Sequence, residues 1–238
     1  MSQSGTAVNR RALVVDDEVP LAHLVSNYLE NAGFEVAQAF DGPSALASAH
    51  RLDPDLVILD LGLPGMDGIT VCRELRRFSD CYVIMLTARI DERDKLAGLS
   101  IGADDYLTKP FSPRELVARA QVMLRRPRAR KPEADRTPPL AFGALLVDLD
   151  GREVRMAGVP VEVTPTEFSL LAALAARPTH AFTRRDLIEA VWGANWVGDE
   201  HLVDVHIRNL RRRLGDDAAD PRFIHTVRGV GYRIGETS

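Results

Sequence analysis

Polar residues that could handle a phosphoryl group or a metal ion follow apolar segments in the first half of the chain. Asp16 and Asp17 come directly after one apolar run, Asp60 ends a second, and Thr87 and Lys109 follow two more. A buried strand tolerates a terminal carboxylate only where a partner offsets the cost of removing it from water. In open α/β sheets, ligands bind at the carboxyl ends of the strands. These residues therefore predict a functional site at one edge of a sheet.

Three carboxylates at one sheet edge would repel one another, and a cation between them would relieve that repulsion. Mg²⁺ prefers oxygen ligands, typically one or two carboxylates together with water and phosphate oxygens. Lys109 adds a positive charge and Thr87 a hydroxyl donor, which suits a phosphoryl group carried by Asp60. Such chemistry depends mainly on positioning and charge neutralisation.

Each of these residues also has an ordinary structural explanation. Asp60 could cap a turn, Thr87 could cap the helix that follows it, and Lys109 could be a solvated loop lysine. Tyr106, beside Lys109, could be a half-buried aromatic residue. Polar residues of a suitable type stand at the ends of four predicted strands, and this joint occurrence favours the functional interpretation.

The elements that would position these residues form an alternating pattern through residues 11–126. Short apolar segments alternate with helical spacing, which predicts right-handed βαβ crossovers and five parallel strands covered by helices on both faces. The strands are expected near residues 11–15, 34–37, 55–59, 82–86 and 106–107, and the helices near 20–31, 43–50, 69–77, 91–99 and 113–125.

Length and composition predict one large domain or two ordinary ones, in the cytoplasm. The chain has 238 residues, 45% of them hydrophobic, which is enough for the cores in either case. No apolar run approaches the roughly 20 residues that span a bilayer, and the polar N-terminus lacks the core of a signal peptide. Cys72 and Cys81 show no metal-ligand spacing, so we expect two buried thiols in a reducing compartment. The net charge of −4 favours neither a nucleic acid nor a membrane as partner.

The first half resembles the receiver domain of two-component response regulators, which implies a doubly wound, flavodoxin-like parallel sheet. The resemblance is carried by VVDDE at 14–18, by LD at 59–60 through Gly68, by LTA at 86–88 and by GADDYLTKPF at 102–111. It implies that Asp60 accepts the phosphoryl group. It also implies that Asp17 and Asp60 bind Mg²⁺ directly with the backbone carbonyl of Gly62, while Asp16 does so through water.

The same resemblance implies a switch next to the acceptor. Thr87 and Lys109 hold the phosphoryl oxygens, and Tyr106 turns inward when Thr87 moves. The peptide bond between Lys109 and Pro110 is expected to be cis, which is cheap only before proline.

A second pattern is similar to the dimerisation face of the OmpR/PhoB subfamily, in which the same surface of two subunits meets across a two-fold axis. Ordinary surface charge is the alternative, since exposed ion pairs are individually worth little. The pairs would contribute register and orientation more than affinity. The matching positions imply the pairs Lys95–Glu115, Asp104–Arg119 and Asp105–Arg126 around an apolar centre at Leu99.

A proline-rich stretch divides the chain. Residues 127–139 hold four prolines and no apolar period, which predicts an extended linker. The expected domains are therefore a receiver at 1–126, whose residues 1–10 form a flexible N-terminus, and a second domain at 140–238.

The second domain begins with strand-like segments at 145–148, 153–156 and 161–163. Thr164 and Glu167 then form a predicted capping box, and Thr183 a predicted cap, for two successive helices. A third helix is expected at 200–214 and a hairpin at 223–227 and 231–234.

The third helix combines an apolar stripe with basic residues. Val203, Ile207, Leu210 and Leu214 share one face, which predicts burial. Arginine and asparagine side chains read guanine and adenine in the major groove, although a solvated charged face is the commoner outcome. The opposite face is expected to present Val205, Arg208, Asn209 and Arg212, flanked by Arg211 and Arg213.

Charge in this half is local rather than global. Residues 140–238 contain 12 arginines and no lysine against 14 acidic residues, a net charge of −2. A duplex requires a concentrated basic footprint, which the arginines of the third helix and Arg228 of the hairpin can supply.

This half resembles the winged helix-turn-helix domain of the OmpR/PhoB subfamily, through VTPTEF at 163–168, VDVHIR at 203–208 and TVRGVGYR at 226–233. The resemblance implies that the third helix enters the major groove and Arg228 the adjacent minor groove. Thr226 and Tyr232 would support backbone contacts, and the loop 193–199 would contact RNA polymerase. Asn209 departs from the arginine that some relatives carry, which leaves the base read there open.

Both resemblances together imply a cytoplasmic transcription regulator rather than an enzyme. A histidine kinase would phosphorylate Asp60, and the receiver would dimerise so that two domains bind two half-sites of promoter DNA. An aspartate-nucleophile phosphatase is disfavoured because Gly62 stands where its D-x-D motif needs an aspartate. A phosphorylation-independent DNA binder would need a damaged acidic pocket, and a receiver with a non-DNA output is disfavoured by the third helix and the hairpin.

Overall fold

The computed structural model describes residues 10–88, 98–99, 101–125 and 136–235. Contacts divide the chain into two compact units, Met1–Gln121 and Val122–Ser238. The predicted linker at 127–139 falls mostly outside the described residues, so the predicted domain limits stay predictions.

The first unit contains a five-stranded parallel sheet in the order β2-β1-β3-β4-β5, which confirms the predicted doubly wound class. The predicted helix at 91–99 lies outside the described residues except for 98 and 99. The strands are β1 Arg10–Val15, β2 Phe34–Ala39, β3 Leu56–Asp60, β4 Tyr82–Ala88 and β5 Asp105–Lys109. The helices are α1 Val19–Asn31, α2 Gly42–Leu52, α3 Gly68–Leu75 and α4 Pro113–Met123.

The central strand explains the position of the site. All five residues of β3 are buried, as expected for a strand covered on both faces. Asp60 ends this strand in register with Leu86 of β4, so Thr87 lies one residue further along the neighbouring strand. The helix that precedes β3 is capped by Asp41, whose side chain accepts a hydrogen bond from the Ser44 amide.

The second unit contains a four-stranded antiparallel sheet, three helices and a second sheet in the order β10-β12-β11. The first sheet consists of β6 Leu140–Phe142, β7 Leu145–Asp148, β8 Glu153–Met156 and β9 Val159–Pro160. The helices are α5 Pro165–Ala175, α6 Arg184–Trp192 and α7 His201–Leu214. The remaining strands are β10 Phe182–Thr183, β11 Ile224–Val227 and β12 Gly231–Ile234.

The predicted strand at 161–163 was wrong. Ala157 and Gly158 both adopt positive φ values, 49° and 83°, which closes a two-residue hairpin turn. Val159 therefore pairs directly with Met156, and β9 ends at Pro160. The short strand β10, paired with β12, was not predicted, because two residues carry no measurable alternation.

The first two helices of this unit, α5 and α6, begin with complete capping boxes. The predicted box of Thr164 and Glu167 is confirmed, and Thr183 forms a second one with Asp186. The predicted stripe on α7 is also confirmed, since Val203, Ile207, Leu210 and Leu214 are all buried.

Candidate functional site

Three carboxylates converge at the carboxyl edge of the parallel sheet. Asp16 follows β1 and Asp60 ends β3, and the two strands are neighbours. Carboxylate oxygens of Asp16, Asp17 and Asp60 all lie within 4.8 Å of one another. Asp16 and Asp60 are buried, with 0% and 4% of their surface exposed, whereas Asp17 is exposed. The cluster therefore reaches solvent through Asp17.

Lys109 supplies the cation of this pocket. Its Nζ lies 2.8 Å from Oδ2 of Asp16 and 2.7 Å from Oδ1 of Asp60. Burial alone would lower the pKa of Lys109, but hydrogen bonds to the two aspartates outweigh it and raise the pKa. Burial also raises the pKa of Asp16, against the opposing effect of Lys109. The predicted cis bond between Lys109 and Pro110 is confirmed.

Two glycines allow the backbone to approach Asp60 closely, one at its carboxylate and the other at its carbonyl oxygen. The Gly62 amide donates to Oδ2 of Asp60 at 2.7 Å, so each oxygen of Asp60 has one partner. A Cβ atom on Gly68, the first residue of α3, would overlap the carbonyl oxygen of Asp60. Gly68 was not among the predicted site residues. The sequence signal that could have identified Gly68 was its position directly after the loop that follows Asp60.

The predicted switch residues lie on β4 and β5, the two strands that follow β3 toward one edge of the sheet. Thr87 is 5% exposed on β4 and pairs in register with Thr108 of β5. Tyr106 is half-buried on β5, in register with Met85. Glu18, which the sequence placed in a matching segment without a role, lies 3.4 Å from Lys109.

The donors of this cluster fit a hard divalent cation. They are carboxylate oxygens, two of them buried, and Mg²⁺ accepts one or two such ligands and completes its shell with water and phosphate oxygens. A single ammonium leaves the three carboxylates with an excess of negative charge, which a divalent ion would offset.

The predicted dimer-face residues make contacts within the chain. Arg119 lies 2.8 Å from Asp105 and 2.7 Å from Glu115, and its side chain is 8% exposed. Leu99, the predicted apolar centre, is 2% exposed. Lys95 lies outside the described residues.

Within the chain, Asp104 pairs with Arg76, whereas the predicted partner Arg119 would belong to a second subunit. Asp104 is fully buried, and its Oδ2 lies 2.7 Å from Arg76 and accepts a hydrogen bond from the Val83 amide at 2.9 Å. Within the chain, Arg119 is paired with Asp105 instead. Arg126 lies outside the described residues, and pairing across a two-fold axis stays a prediction.

The structure presents only part of the basic face predicted on α7. Arg208 and Arg212 are exposed. Arg211 is 8% exposed because it turns beneath the hairpin, where it donates to the Ile224 carbonyl and to Oγ1 of Thr226. Val205 and Asn209 are only 4% and 2% exposed, so the prediction that both lie on the exposed face of α7 was wrong.

The hairpin carries the second group of predicted DNA contacts. Thr226 and Arg228 are exposed, and Gly229 at the turn adopts a φ of 74°. Tyr232 is 6% exposed, and its hydroxyl donates to Oδ1 of Asp204 at 2.6 Å. Asp204 was not among the predicted site residues, because only the folded chain brings it to the hairpin.

The two tryptophans are buried and lie close to each other. Trp192 and Trp196 are 3% and 5% exposed, and their ring centroids lie 6.2 Å apart.

None of the helices in the described ranges has both the length and the apolar character to traverse a bilayer.

Comparisons with known proteins give the same two parts. Residues 12–121 match the family model of the response regulator receiver domain. Residues 158–234 match the model described as transcriptional regulatory protein, C terminal.

Curated relatives extend over nearly the whole chain. The chain is 45% identical over 228 residues to the DNA-binding response regulator MtrA of Mycolicibacterium smegmatis, covering 96% of this chain and 98% of that protein. It is 44% identical over 222 residues to the sensory transduction protein RegX3 of the same organism, covering 93% and 97%.

Solved structures give the same likeness. A mutant of RitR superposes with a TM-score of 0.74 at 28% identity, covering 96% of this chain and 100% of that one. The response regulator DrrB of Thermotoga maritima, described as an OmpR/PhoB homolog, superposes with a TM-score of 0.51 at 32% identity, covering 95% and 99%.

Proposed function

The chain belongs to the OmpR/PhoB subfamily of DNA-binding response regulators, and from that premise we propose that phosphorylation of Asp60 controls its binding to promoter DNA. The observation that carries the proposal is the convergence of Asp16, Asp17, Asp60 and Lys109 at one sheet edge. A partner histidine kinase is the proposed phosphoryl donor.

The proposed transfer is a displacement at phosphorus. A carboxylate oxygen of Asp60 forms a P–O bond while the P–N bond of the kinase phosphohistidine breaks. The electron pair stays on the imidazole nitrogen, which takes up a proton. Lys109, already 2.7 Å from Asp60, neutralises charge on the phosphoryl oxygens, and the Thr87 hydroxyl donates to one of them.

Asp16, Asp17, Asp60 and the Gly62 carbonyl are the proposed holders of Mg²⁺. When bound, the ion supplies positive charge to the phosphoryl oxygens and offsets the repulsion among the carboxylates.

Phosphorylation is proposed to favour a dimer. The added charge draws Thr87 toward the phosphoryl group, Tyr106 turns inward, and the face around Arg119 becomes self-complementary. Two DNA-binding units held together act at a raised effective concentration on two half-sites. α7 enters the major groove with Arg208 and Arg212, and the hairpin places Arg228 in the minor groove.

The remaining roles follow the subfamily. We propose that residues 193–199 contact RNA polymerase, that the protein acts in the cytoplasm, and that it is not an enzyme. Incubation with small phosphoesters should give no turnover; sustained release of phosphate from them would contradict the last point.

Phosphotransfer from a histidine kinase or from acetyl phosphate tests the acceptor. Asp60→Asn should abolish labelling of the protein, because the amide cannot form the acyl phosphate. Glu30→Gln makes the same replacement of a carboxylate by an amide at an exposed position of α1, and this variant should be phosphorylated like the wild type. Unchanged labelling of Asp60→Asn would refute the assignment.

A DNA titration at several salt concentrations tests the recognition surface. Arg208→Ala should weaken binding about 10-fold or more to a duplex selected by the wild-type protein, because a base contact is worth about 1–3 kcal/mol. Arg155→Ala, exposed on β8, is the matched control. Equal affinity of Arg208→Ala and wild type at every salt concentration would exclude this role for α7.

A further inference from the structure

Asp204 lies at a junction of three elements in the second unit. It occupies the first turn of α7, and its Oδ1 accepts hydrogen bonds from Tyr232 of β12 at 2.6 Å and from Nε of Arg184 at 2.8 Å. Nδ1 of His201 lies 2.9 Å from Oδ2. One carboxylate therefore joins α7 to the start of α6 and to the hairpin.

A second attachment lies two turns further along the same helix. Arg211 donates to Oγ1 of Thr226 at 2.9 Å and to the carbonyl of Ile224, both on β11. Positions 204 and 211 share one helix face, about 10 Å apart along the axis at 1.5 Å per residue. Two fixed points set both the position and the direction of α7 relative to the hairpin.

Tyr232 is the link between these two points. Its ring centroid lies 5.4 Å from the guanidinium of Arg184 and 5.7 Å from that of Arg211, within range of cation–π attraction. Burial and the neighbouring Asp204 raise the pKa of Tyr232 to about 12, so its hydroxyl stays protonated and donates. The side chain is thus directed into the junction.

We propose that Asp204 is a positioning residue for DNA recognition: through Tyr232 it sets the angle between α7 and the hairpin at which Arg208 and Arg228 engage one duplex together. A carboxylate beside a DNA-binding helix repels phosphates, so its benefit to binding is geometric. This role rests on the proposed function of α7 and the hairpin.

The test uses the full chain and two fluorescent duplexes: one selected from a random pool by the wild-type protein, and one of scrambled sequence. Asp204→Ala and Tyr232→Phe should each weaken binding to the selected duplex about 10-fold, the cost of a lost charge-assisted hydrogen bond. Binding of Asp204→Ala to the scrambled duplex should stay within about 2-fold, and its salt slope should not change, because a carboxylate makes no phosphate contact that could be lost.

Two further variants separate geometry from charge. Asp204→Asn keeps an acceptor oxygen for Tyr232 and should recover most of the affinity lost in Asp204→Ala. Adding Tyr232→Phe to Asp204→Ala should cost nothing more, because both changes break one link. Asp220→Ala, an exposed acid in the same unit, is the control for charge.

Circular dichroism and the unfolding midpoint report whether each variant folds, and Tyr232→Phe removes only a hydroxyl. If both single variants bind the selected duplex like wild type and only the midpoint falls, Asp204 is a structural anchor and the proposal is overturned. Equal affinities of Asp204→Asn and Asp204→Ala would overturn it too. If Arg208→Ala weakens binding but the Asp204 and Tyr232 variants do not, the proposed function stands and only this inference fails. If Arg208→Ala binds like the wild type, the proposed function itself fails.

Discussion

Lys109 shows how one side chain organises the acidic pocket. Its ammonium bridges two buried aspartates and also lies 3.4 Å from the exposed Glu18. The lysine therefore competes for the carboxylate oxygens that a divalent cation would use.

Lys109→Gln should bind Mg²⁺ about 5- to 10-fold more tightly than the wild type, because a repelling charge is removed from the ligand cluster. Isothermal titration calorimetry measures this directly. Arg11→Gln removes a cation that pairs with Asp53, outside the pocket, and should leave the affinity unchanged. Weaker Mg²⁺ binding by Lys109→Gln would contradict the competition.

Cys72 is inert for the same physical reason that makes Asp16 reluctant to ionise. Burial raises the pKa of its thiol to about 11 from 9.0. The stability gained by burying the neutral Cys72 thiol is therefore present below pH 9 and is lost as the pH rises toward 11.

The folded chain should expose no rapidly reacting thiol to a disulfide reagent at pH 8. Denaturation should expose two, since Cys81 is buried as well. Rapid modification of one equivalent in the native state would contradict this.

Among the elements, the two capping boxes of the second unit are alike in sequence and unlike in environment. Glu167 is fully buried and pairs with Arg213 of α7 at 2.8 Å, in addition to its bond with the Thr164 amide. Asp186 makes only an exposed bond to the Thr183 amide. The first box therefore joins two helices, whereas the second caps one.

Glu167→Ala should cost about 2 kcal/mol or more, because it removes both the acceptor of the Thr164 amide and the carboxylate that pairs with the half-buried Arg213. Asp186→Ala should cost about 1 kcal/mol, the usual value of a cap. Both tryptophans lie in this unit, so their fluorescence during urea unfolding reports on it. Equal destabilisation by the two variants would contradict the difference in roles.

At the scale of the whole molecule, the two proposed sites lie in different units, so regulation is a coupling free energy between phosphorylation and DNA binding. In the proposed mechanism this coupling arises from dimerisation. It should therefore depend on how many half-sites the DNA offers.

Treatment with acetyl phosphate should raise affinity for a duplex with two half-sites at least about 10-fold and leave a single half-site within about 2-fold. Fluorescence anisotropy measures both, and sedimentation velocity follows the dimer. Asp60→Asn should show no gain on either duplex. An equal gain on a single half-site would show that switching occurs within one chain instead.

Much of the fold, and the convergence of the acidic residues at one sheet edge, was predictable because the signals were local. Apolar runs, caps and strand-end residues such as Asp60 and Thr87 are set by neighbouring positions along the chain. The prediction of a strand at 161–163 was wrong for a local reason as well. The positive φ values of Ala157 and Gly158 decide where the hairpin turns, and therefore where the next strand begins.

The sequence alone determined the alternation of strands and helices, the two-part organisation and the residue types gathered at the carboxyl edge of the sheet. Tertiary structure alone decided the partners. Lys109 donates a hydrogen bond to Asp16, 93 positions away in the sequence. Arg76 donates to Asp104 and Tyr232 donates to Asp204, and each of these partners is 28 positions away. The physical reason is that periodicity fixes which face of an element is buried, whereas the partner of a buried charge depends on how elements pack against one another.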